Sequence, residues 1–367
     1  MDASLQMKLR KLMIIFVSWI IIGQVIALLD HLTLHSYYSN GVVTSYNYLE
    51  AAGFHLLASV IGSLVGGYFL VFRLAEDFRN RPYWHSITVT ALTFLAIVTM
   101  IAVVISTIQL YQIRGSMPAG TMIFSETLGV LTSDPIHLRN TIIWGGITTL
   151  TQFLLMVNDK FGQSTLWNIL RGKYHNPIEE ERVFMFLDLR GSTTIAEQLG
   201  HTRYYQLLKD LFSDITNPIL FNKGEIYQYV GDEVVISWPL ERGLENHNCV
   251  RCYFDVRETL EGVHDHYEEE YGIRPEFKAG IHYGTVTAGE IGIIKRDITF
   301  SGDVLNTAAR IQAQCNAFSV DFLSSTALLN MLPKDGAFEQ TAMGSIILRG
   351  KQESVELSSV SLQPSVA

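Results

Sequence analysis

The sequence predicts an α-helical membrane domain of four spans followed by an α+β cytoplasmic domain with a ferredoxin-like, split βαβ core. Three observations lead there. Charge is unevenly divided: of 27 Lys+Arg and 36 Asp+Glu, residues 1–157 hold eight and seven, a net charge of +1, so the remainder carries −10. Hydrophobic residues make up 48% of the chain and charged residues 17%, too apolar for a disordered protein and high for a purely soluble one. The apolar excess lies in four long runs in the first half, whereas the second half alternates strand-type and helix-type patterns in the order βαββαβ.

Taken along the chain, the spans are 12–29, 54–74, 86–110 and 140–157, each able to cross about 30 Å of hydrocarbon at about 1.5 Å per helical residue. Lys8, Arg10 and Lys11 precede the first span. Its apolar run is long for a signal peptide and no small-residue cleavage site follows, so it reads as a retained span. Lys and Arg concentrate in cytoplasmic loops. Three lie before the first span, none in Asp30–Gly53, three after the second span (Arg73, Arg79, Arg81) and two in the long third loop. An even number of spans then leaves both termini and the whole acidic half in the cytoplasm, with the chain in the cell membrane. The spans hold few polar groups beyond His55, Gln24 and hydroxyls, which favours anchoring and dimerisation over conduction. Gly62 and Gly66 form a small-xxx-small spacing that lets two helices approach closely. The first outer loop presents His31, His35, Tyr37, Tyr38, Tyr46 and Tyr48. These read as interfacial anchors, with a pocket for an unknown ligand as the alternative.

The junction, 158–182, reads NDKFGQSTLWNILRGKYHNPIEEER. Ser164 can cap a short amphipathic juxtamembrane helix carrying Leu166, Ile169 and Leu170; Gly172 ends it, and Asn176-Pro177 imposes an extended turn. Such a linker is too structured to be a floppy tether. It either passes changes in span packing onward or acts as a rigid spacer.

The acidic domain, 183–360 with a tail at 361–367, opens with the β-prone run VFMFLDL (Val183–Leu189) and a helical pattern through Ile195, Leu199, Tyr204, Leu207, Leu208, Leu211 and Phe212. After the turn at Asn222–Gly224, IYQYVGDEVVISW reads as two strands folded across Gly231-Asp232. A second helix is expected from about Leu244 to Tyr271, two more strands in FKAGIHYGTVTAGEIG, and a third helix in DVLNTAARIQAQC. The acidity excludes nucleic acid as a partner, because sequence-independent binding needs Lys and Arg to replace phosphate counterions. Cys249, Cys252 and Cys315 have no secreted-type framework, which suits a reducing compartment. Cys249 and Cys252 form a single CxxC with no second pair, more in keeping with buried helix residues than with a zinc site.

Asp188 closes the first strand and Asp232 sits at the tip of the hairpin. In a split βαβ sheet those strands are neighbours, so both carboxylates can converge on one edge. Two carboxylates a few ångströms apart repel and call for a cation; hard oxygen ligands suit Mg²⁺ or Mn²⁺ bound with a nucleoside triphosphate, and two such metals would clamp an in-line phosphoryl displacement. The alternative is that each Asp merely caps its turn.

The runs FMFLDLRGST, YVGDEV, GIHYGTVTAGEIG and SGDVLNTAAR, in that order, resemble the catalytic domain of class III nucleotidyl cyclases over roughly Val183 to Val360, and the 44-residue separation of the two acids matches as well. The membrane half and the GKYHNPIEEER junction are similar, more loosely, to bacterial membrane-anchored members. The resemblance implies that Asp188, Asp232 and the backbone of Leu189 hold two divalent cations. It implies that the Leu189–Thr193 segment, with Gly191, Ser192 and Thr193, cradles phosphates with the helix N-terminus behind it. Asn306 and Arg310, at i and i+4 on one helical face, would reach the substrate from the second subunit of a homodimer. Asn306 would orient the ribose and Arg310 would stabilise charge on the α-phosphate and pyrophosphate. Lys351 in LRGKQ is a candidate for the terminal phosphates. Without the resemblance, Asn306 and Arg310 read equally as polar helix-surface residues.

One position departs from the pattern of adenylyl cyclases, which place Lys four residues before the second metal Asp; here it is Gln228. Seven before the expected catalytic Asn stands Thr299. A Gln amide suits the N1 and N6 edge of adenine and, rotated, can meet guanine; Thr299 breaks no tie. The Glu usual in guanylyl cyclases is absent, so ATP is favoured over GTP. The expectation is a membrane-anchored adenylate cyclase that forms 3′,5′-cyclic AMP and pyrophosphate at sites shared between two chains. Its rivals are a guanylate cyclase, a diguanylate cyclase whose GGDEF-type turn is missing, and a receptor with a non-catalytic cyclase-like dimerisation domain.

Overall fold

The computed structural model describes residues 3–38, 47–74, 83–114, 120–133, 135–161, 171–294, 296–334, 336–347 and 354–362. The chain divides into two compact units, Leu5–Phe161 and a second running from Gly162 to Ala367.

The apolar unit is all helical: α1 (Ala3–Tyr38), α2 (Tyr48–Tyr68), α3 (Tyr83–Arg114), α4 (Gly120–Ser133) and α5 (Pro135–Phe161). Asn47 Oδ1 accepts from Leu49 N at 3.0 Å and caps α2, which runs on as a π-helical turn, Phe69–Leu74. Among the described residues, three segments are long and apolar enough to cross a membrane: Leu5–Thr33, Tyr48–Arg73 and Leu138–Asn158. The span expected at 86–110 falls within α3, a helix of 32 residues whose described apolar stretch is Trp84–Met100. Part of the expected third loop is the helix α4. A Cβ on Gly66 would lie 3.4 Å from the Trp19 ring and one on Gly62 3.7 Å from it, so this small-residue face receives an indole of the same chain. Trp19 Nε1 donates to Thr151 Oγ1 at 3.1 Å and joins Ile15, Leu70 and Val71 in a buried cluster. Asp30 takes two hydrogen bonds from Arg139, at 2.7 and 2.8 Å, and faces His55 Nε2 at 3.4 Å. Of the first-loop aromatics, His31 and Tyr48 meet with ring centroids 4.7 Å apart. Tyr46 and the side chains of His35, Tyr37 and Tyr38 lie outside the described residues, as does the helix expected at Ser164–Leu170.

The second unit contains β1 (Ile178–Leu189), α6 (Ser192–Asp214), α7 (Thr216–Phe221), β2 (Glu225–Val230), β3 (Glu233–Pro239), α8 (Leu240–Leu244), α9 (Asn248–Glu261), α10 (His264–Tyr271), β4 (Phe277–Ile291), β5 (Asp297–Ser301), α11 (Asp303–Ala313), α12 (Cys315–Phe318), β6 (Phe322–Ser325), α13 (Thr326–Leu329), β7 (Phe338–Ile347) and β8 (Ser354–Leu362). The sheet order is β2-β3-β1-β4-β6-β8-β7, with β5 paired to β4. Each of its first four strands is antiparallel to its neighbour, in the split βαβ order, and β6 runs parallel to β4 after the crossover through α11. Both faces of β1 are covered, which is why its sequence is a continuous apolar run rather than an alternation. Val183, Met185, Leu187 and Leu189 enter the larger core with α6 and α9, whereas Phe184 and Phe186 pack with Val304 and Ala308 of α11.

Three expectations need correction. Strand β1 begins at Ile178, inside the expected linker, because Ile178–Arg182 continue the ladder with β4. The two strands expected in FKAGIHYGTVTAGEIG are one strand of 15 residues. Its glycines make room rather than turns: a Cβ on Gly280 would meet Gln312 N at 2.2 Å, and one on Gly284 would meet Val304 Cγ2 at 2.7 Å. The helix expected at Leu244–Tyr271 is broken after α8 at Asn246 and His247, whose positive φ values of 51° and 59° no α-helix continues through, and again at Gly262, the C-cap of α9.

Candidate active site

Antiparallel pairing places Asp188, the penultimate residue of β1, opposite Glu233 on β3 and Lys278 on β4. The hairpin turn at Gly231 (φ 63°) holds Asp232 next to that edge, close enough for its carboxyl to act on that of Asp188. Asp188 Oδ2 also takes Lys278 Nζ at 3.0 Å and Gln312 Nε2, from α11, at 2.9 Å. Burial raises the Asp188 pKa above the usual carboxylate value, Lys278 opposes that rise, and Asp232 adds to it. Glu233 is pushed up to about 7, first by burial and then by repulsion from Asp188 and Asp232. Three carboxyls thus share one cation, leaving an excess of negative charge and of hard oxygen donors.

That donor set fits a divalent cation better than a proton-only network. Among the described residues no group of three or more His, Cys, Asp or Glu is placed to hold a metal by itself. The protein offers two carboxylates and backbone oxygens, and the rest of a coordination shell would come from water and substrate, the usual habit of Mg²⁺. Leu189 ends β1 with its side chain buried, so only its backbone can face the site.

Gly191, at φ 65°, turns the chain from β1 into α6. No side chain caps α6 there, leaving first-turn N–H groups of Ser192 and Thr193 for an anion. Ser192, Thr193 and Asp232 line a cavity of about 490 Å³ whose other wall is Ala196, Glu197, Gly200, His201 and Tyr204. Tyr204 is half-buried; burial, and then the charge of Asp232, raise its pKa, so the phenol stays neutral.

The remaining candidates stand elsewhere on the chain. Asn306 is exposed and Arg310 half-exposed on α11, on a face distinct from the buried Val304, Thr307, Ala308 and Ile311. Neither lines the cavity. Gln228 is exposed on β2 beside a bulge at Tyr227, and Thr299 lies on β5 with its hydroxyl buried and unpartnered. The Tyr227 and Phe300 rings meet edge to face at 5.1 Å, which draws the strands carrying Gln228 and Thr299 together. Lys351 lies outside the described residues. Cys249 and Cys252 are free and fully buried, with burial pushing Cys249 up to about 12 and Cys252 also upward, the behaviour of inert core thiols. Lys278, Gln312 and Tyr204 were not singled out from the sequence. The cross-strand partner of Asp188 could have been found by register alone; Gln312 and Tyr204 depend on helix packing.

Residues 175–358 match the adenylate and guanylate cyclase catalytic domain. Adenylate cyclase 2 of Rhizobium meliloti (strain 1021) is 38% identical over 214 residues, 58% of this chain and 58% of its own length. Adenylate cyclase 1 of the same organism is 29% identical over 155 residues, 41% of this chain and 23% of its own. The chain therefore spans little more than half the length of the first of these relatives and less of the second. A bacterial light-regulated adenylyl cyclase structure superposes with a TM-score of 0.52 at 23% identity, covering 62% of this chain and 66% of that one, and shows the shared fold. With half of its length matching one catalytic-domain family, the chain belongs to the class III adenylate and guanylate cyclase family.

Proposed function

We propose that this protein is a membrane-anchored adenylate cyclase. The observation that carries the reading is the meeting of Asp188 and Asp232 beside the uncapped start of α6, inside the cyclase-family domain. The two carboxylates and the Leu189 backbone would hold two divalent cations, Mg²⁺ or Mn²⁺, which when bound lower the proton affinity of a ribose hydroxyl and neutralise a triphosphate. Lys278 and Gln312 fix the Asp188 carboxylate. Ser192 and Thr193 receive phosphate oxygens through backbone N–H groups.

In the reaction the ribose 3′-oxygen forms a bond to the α-phosphorus, the bond from that phosphorus to the bridging oxygen breaks, pyrophosphate leaves, and the 3′-hydroxyl proton is lost. Asn306 and Arg310 come from the second chain of a homodimer, which accords with their standing away from the acids of their own chain. Gln228 and Thr299 read the base; a neutral amide at the first position and the names of the two Rhizobium relatives support ATP. In this reading the chain is held in the cell membrane by four spans, with both termini and the catalytic domain cytoplasmic. The outer-loop aromatics are interfacial anchors, with a pocket for an unidentified ligand as the alternative.

The test is cyclic nucleotide formation by the membrane-embedded full chain with Mn²⁺ and either ATP or GTP, the Asp232→Asn chain serving as blank. Cyclic AMP above a silent blank is expected; predominant cyclic GMP would overturn the base assignment. Mixing Asp232→Asn with Arg310→Ala chains, each inactive alone, should restore one site per mixed dimer. No recovery in mixtures where heterodimers are demonstrably present would refute the shared site.

A further inference from the structure

The cavity beside Asp232 is lined by more of α6 than its first turn. Ser192, Thr193, Ala196 and Glu197 line it from the first segment of α6, Gly200, His201 and Tyr204 line it from the kink and beyond, and the open cavity measures about 490 Å³. The kink at Gly200 (φ 71°, ψ 162°) makes this possible. In a straight helix the Cα atoms of Ser192 and Tyr204, twelve residues apart, would stand about 18 Å from one another. Here Tyr204 shares the cavity lining with Ser192 and Asp232, close enough for its hydroxyl to interact with both, while its ring packs on the core cluster that Ile195 and Leu199 also join.

A neutral phenol both donates and accepts. Its place is at the acid-lined side of the cavity. Phosphates are drawn to the helix start and to cations; the next part of a nucleoside triphosphate is the ribose, whose hydroxyls need a partner of this kind. We propose that the Tyr204 hydroxyl hydrogen-bonds the ribose 3′-hydroxyl of the bound nucleoside triphosphate and holds the attacking oxygen beside Asp232. This rests on the nucleotide reading above and adds, from the chain that carries the acids, a sugar-positioning group to Asn306 of the other chain.

The experiment is a two-by-two comparison on the full chain in membranes: wild type and Tyr204→Phe, each inhibited by α,β-methylene-ATP and by its 3′-deoxy counterpart. In the wild type, removal of the 3′-hydroxyl should weaken inhibition about fivefold, the size of one net hydrogen bond. In Tyr204→Phe the methylene analogue should bind about fivefold more weakly, the 3′-deoxy analogue as in wild type, and thermal unfolding should be unchanged because the ring is kept. Equal weakening of both analogues, or of neither, overturns the proposal. If the wild type binds neither analogue, the nucleotide reading itself fails and the proposal falls with it. Should Tyr204→Phe fail to fold, Tyr204→His keeps a ring with a hydrogen-bonding edge and should retain discrimination between the two analogues; its loss would count against the contact.

Discussion

Gly280→Ala is the substitution from which the structure predicts most. A Cβ at this position would stand 2.2 Å from Gln312 N, 2.5 Å from its Cα and 2.6 Å from its Cβ, so the obstacle is the backbone of α11 and not the end of a movable side chain. Ordinary contact begins near 3.4 Å. The helix must therefore retreat by more than about 1 Å, and overpacking of this kind costs about 1–3 kcal/mol. For a unit of roughly this size each kcal/mol lowers Tm by about 2–4 °C, so a fall of roughly 2–12 °C is expected. The same retreat would break the 2.9 Å hydrogen bond from Gln312 to Asp188 and shift Asn306 and Arg310, which ride on α11. A displacement of about 1 Å at reacting groups can lower turnover about a hundredfold. The assay is thermal unfolding followed by the fluorescence of buried Trp238, together with cyclic AMP formation. Gly262→Ala is the control, since a Cβ there meets nothing closer than 3.5 Å and the backbone is right-handed. If Gly280→Ala matches that control in both Tm and turnover, the close packing of α11 on β4 does not hold the site.

Other outcomes can be stated from the same geometry. Gln228→Lys should raise the ratio of kcat/KM for ATP over GTP about tenfold, the value of a charge-assisted hydrogen bond to the adenine edge; an unchanged ratio removes Gln228 from base reading. In the metal-free chain, Glu233 holds its proton to about pH 7 when folded but releases it near 4.5 when unfolded, so stability falls as pH rises through that window. Glu233→Gln should then raise Tm at pH 8 and leave it unchanged near pH 4, whereas an equal shift at both would point to packing. Cys249 and Cys315, both pushed up to about 12 by burial, leave only about one thiol in 10⁴ ionised at pH 8, so disulfide-exchange labelling should proceed at the rate of unfolding. Rapid stoichiometric labelling of the native chain would contradict the burial of these thiols.

By itself the sequence determined what depends on local pattern and composition. Charge distribution separated an apolar helical half from an acidic one, and turn chemistry at Gly231-Asp232 placed the second acid at a hairpin tip. Strand order followed from the alternation of elements, and with it the adjacency of the strands bearing Asp188 and Asp232. Tertiary structure decided what depends on neighbours distant along the chain. The glycines of GIHYG look like turn signals and are instead the floor on which α11 lies, because a glycine that admits a helix has the same side chain as one that turns a strand. Lys278 and Gln312 became partners of Asp188 only once β4 and α11 were packed against β1. Tyr204 reached the cavity only because α6 bends at Gly200, a change of direction that the periodicity of its apolar residues does not record.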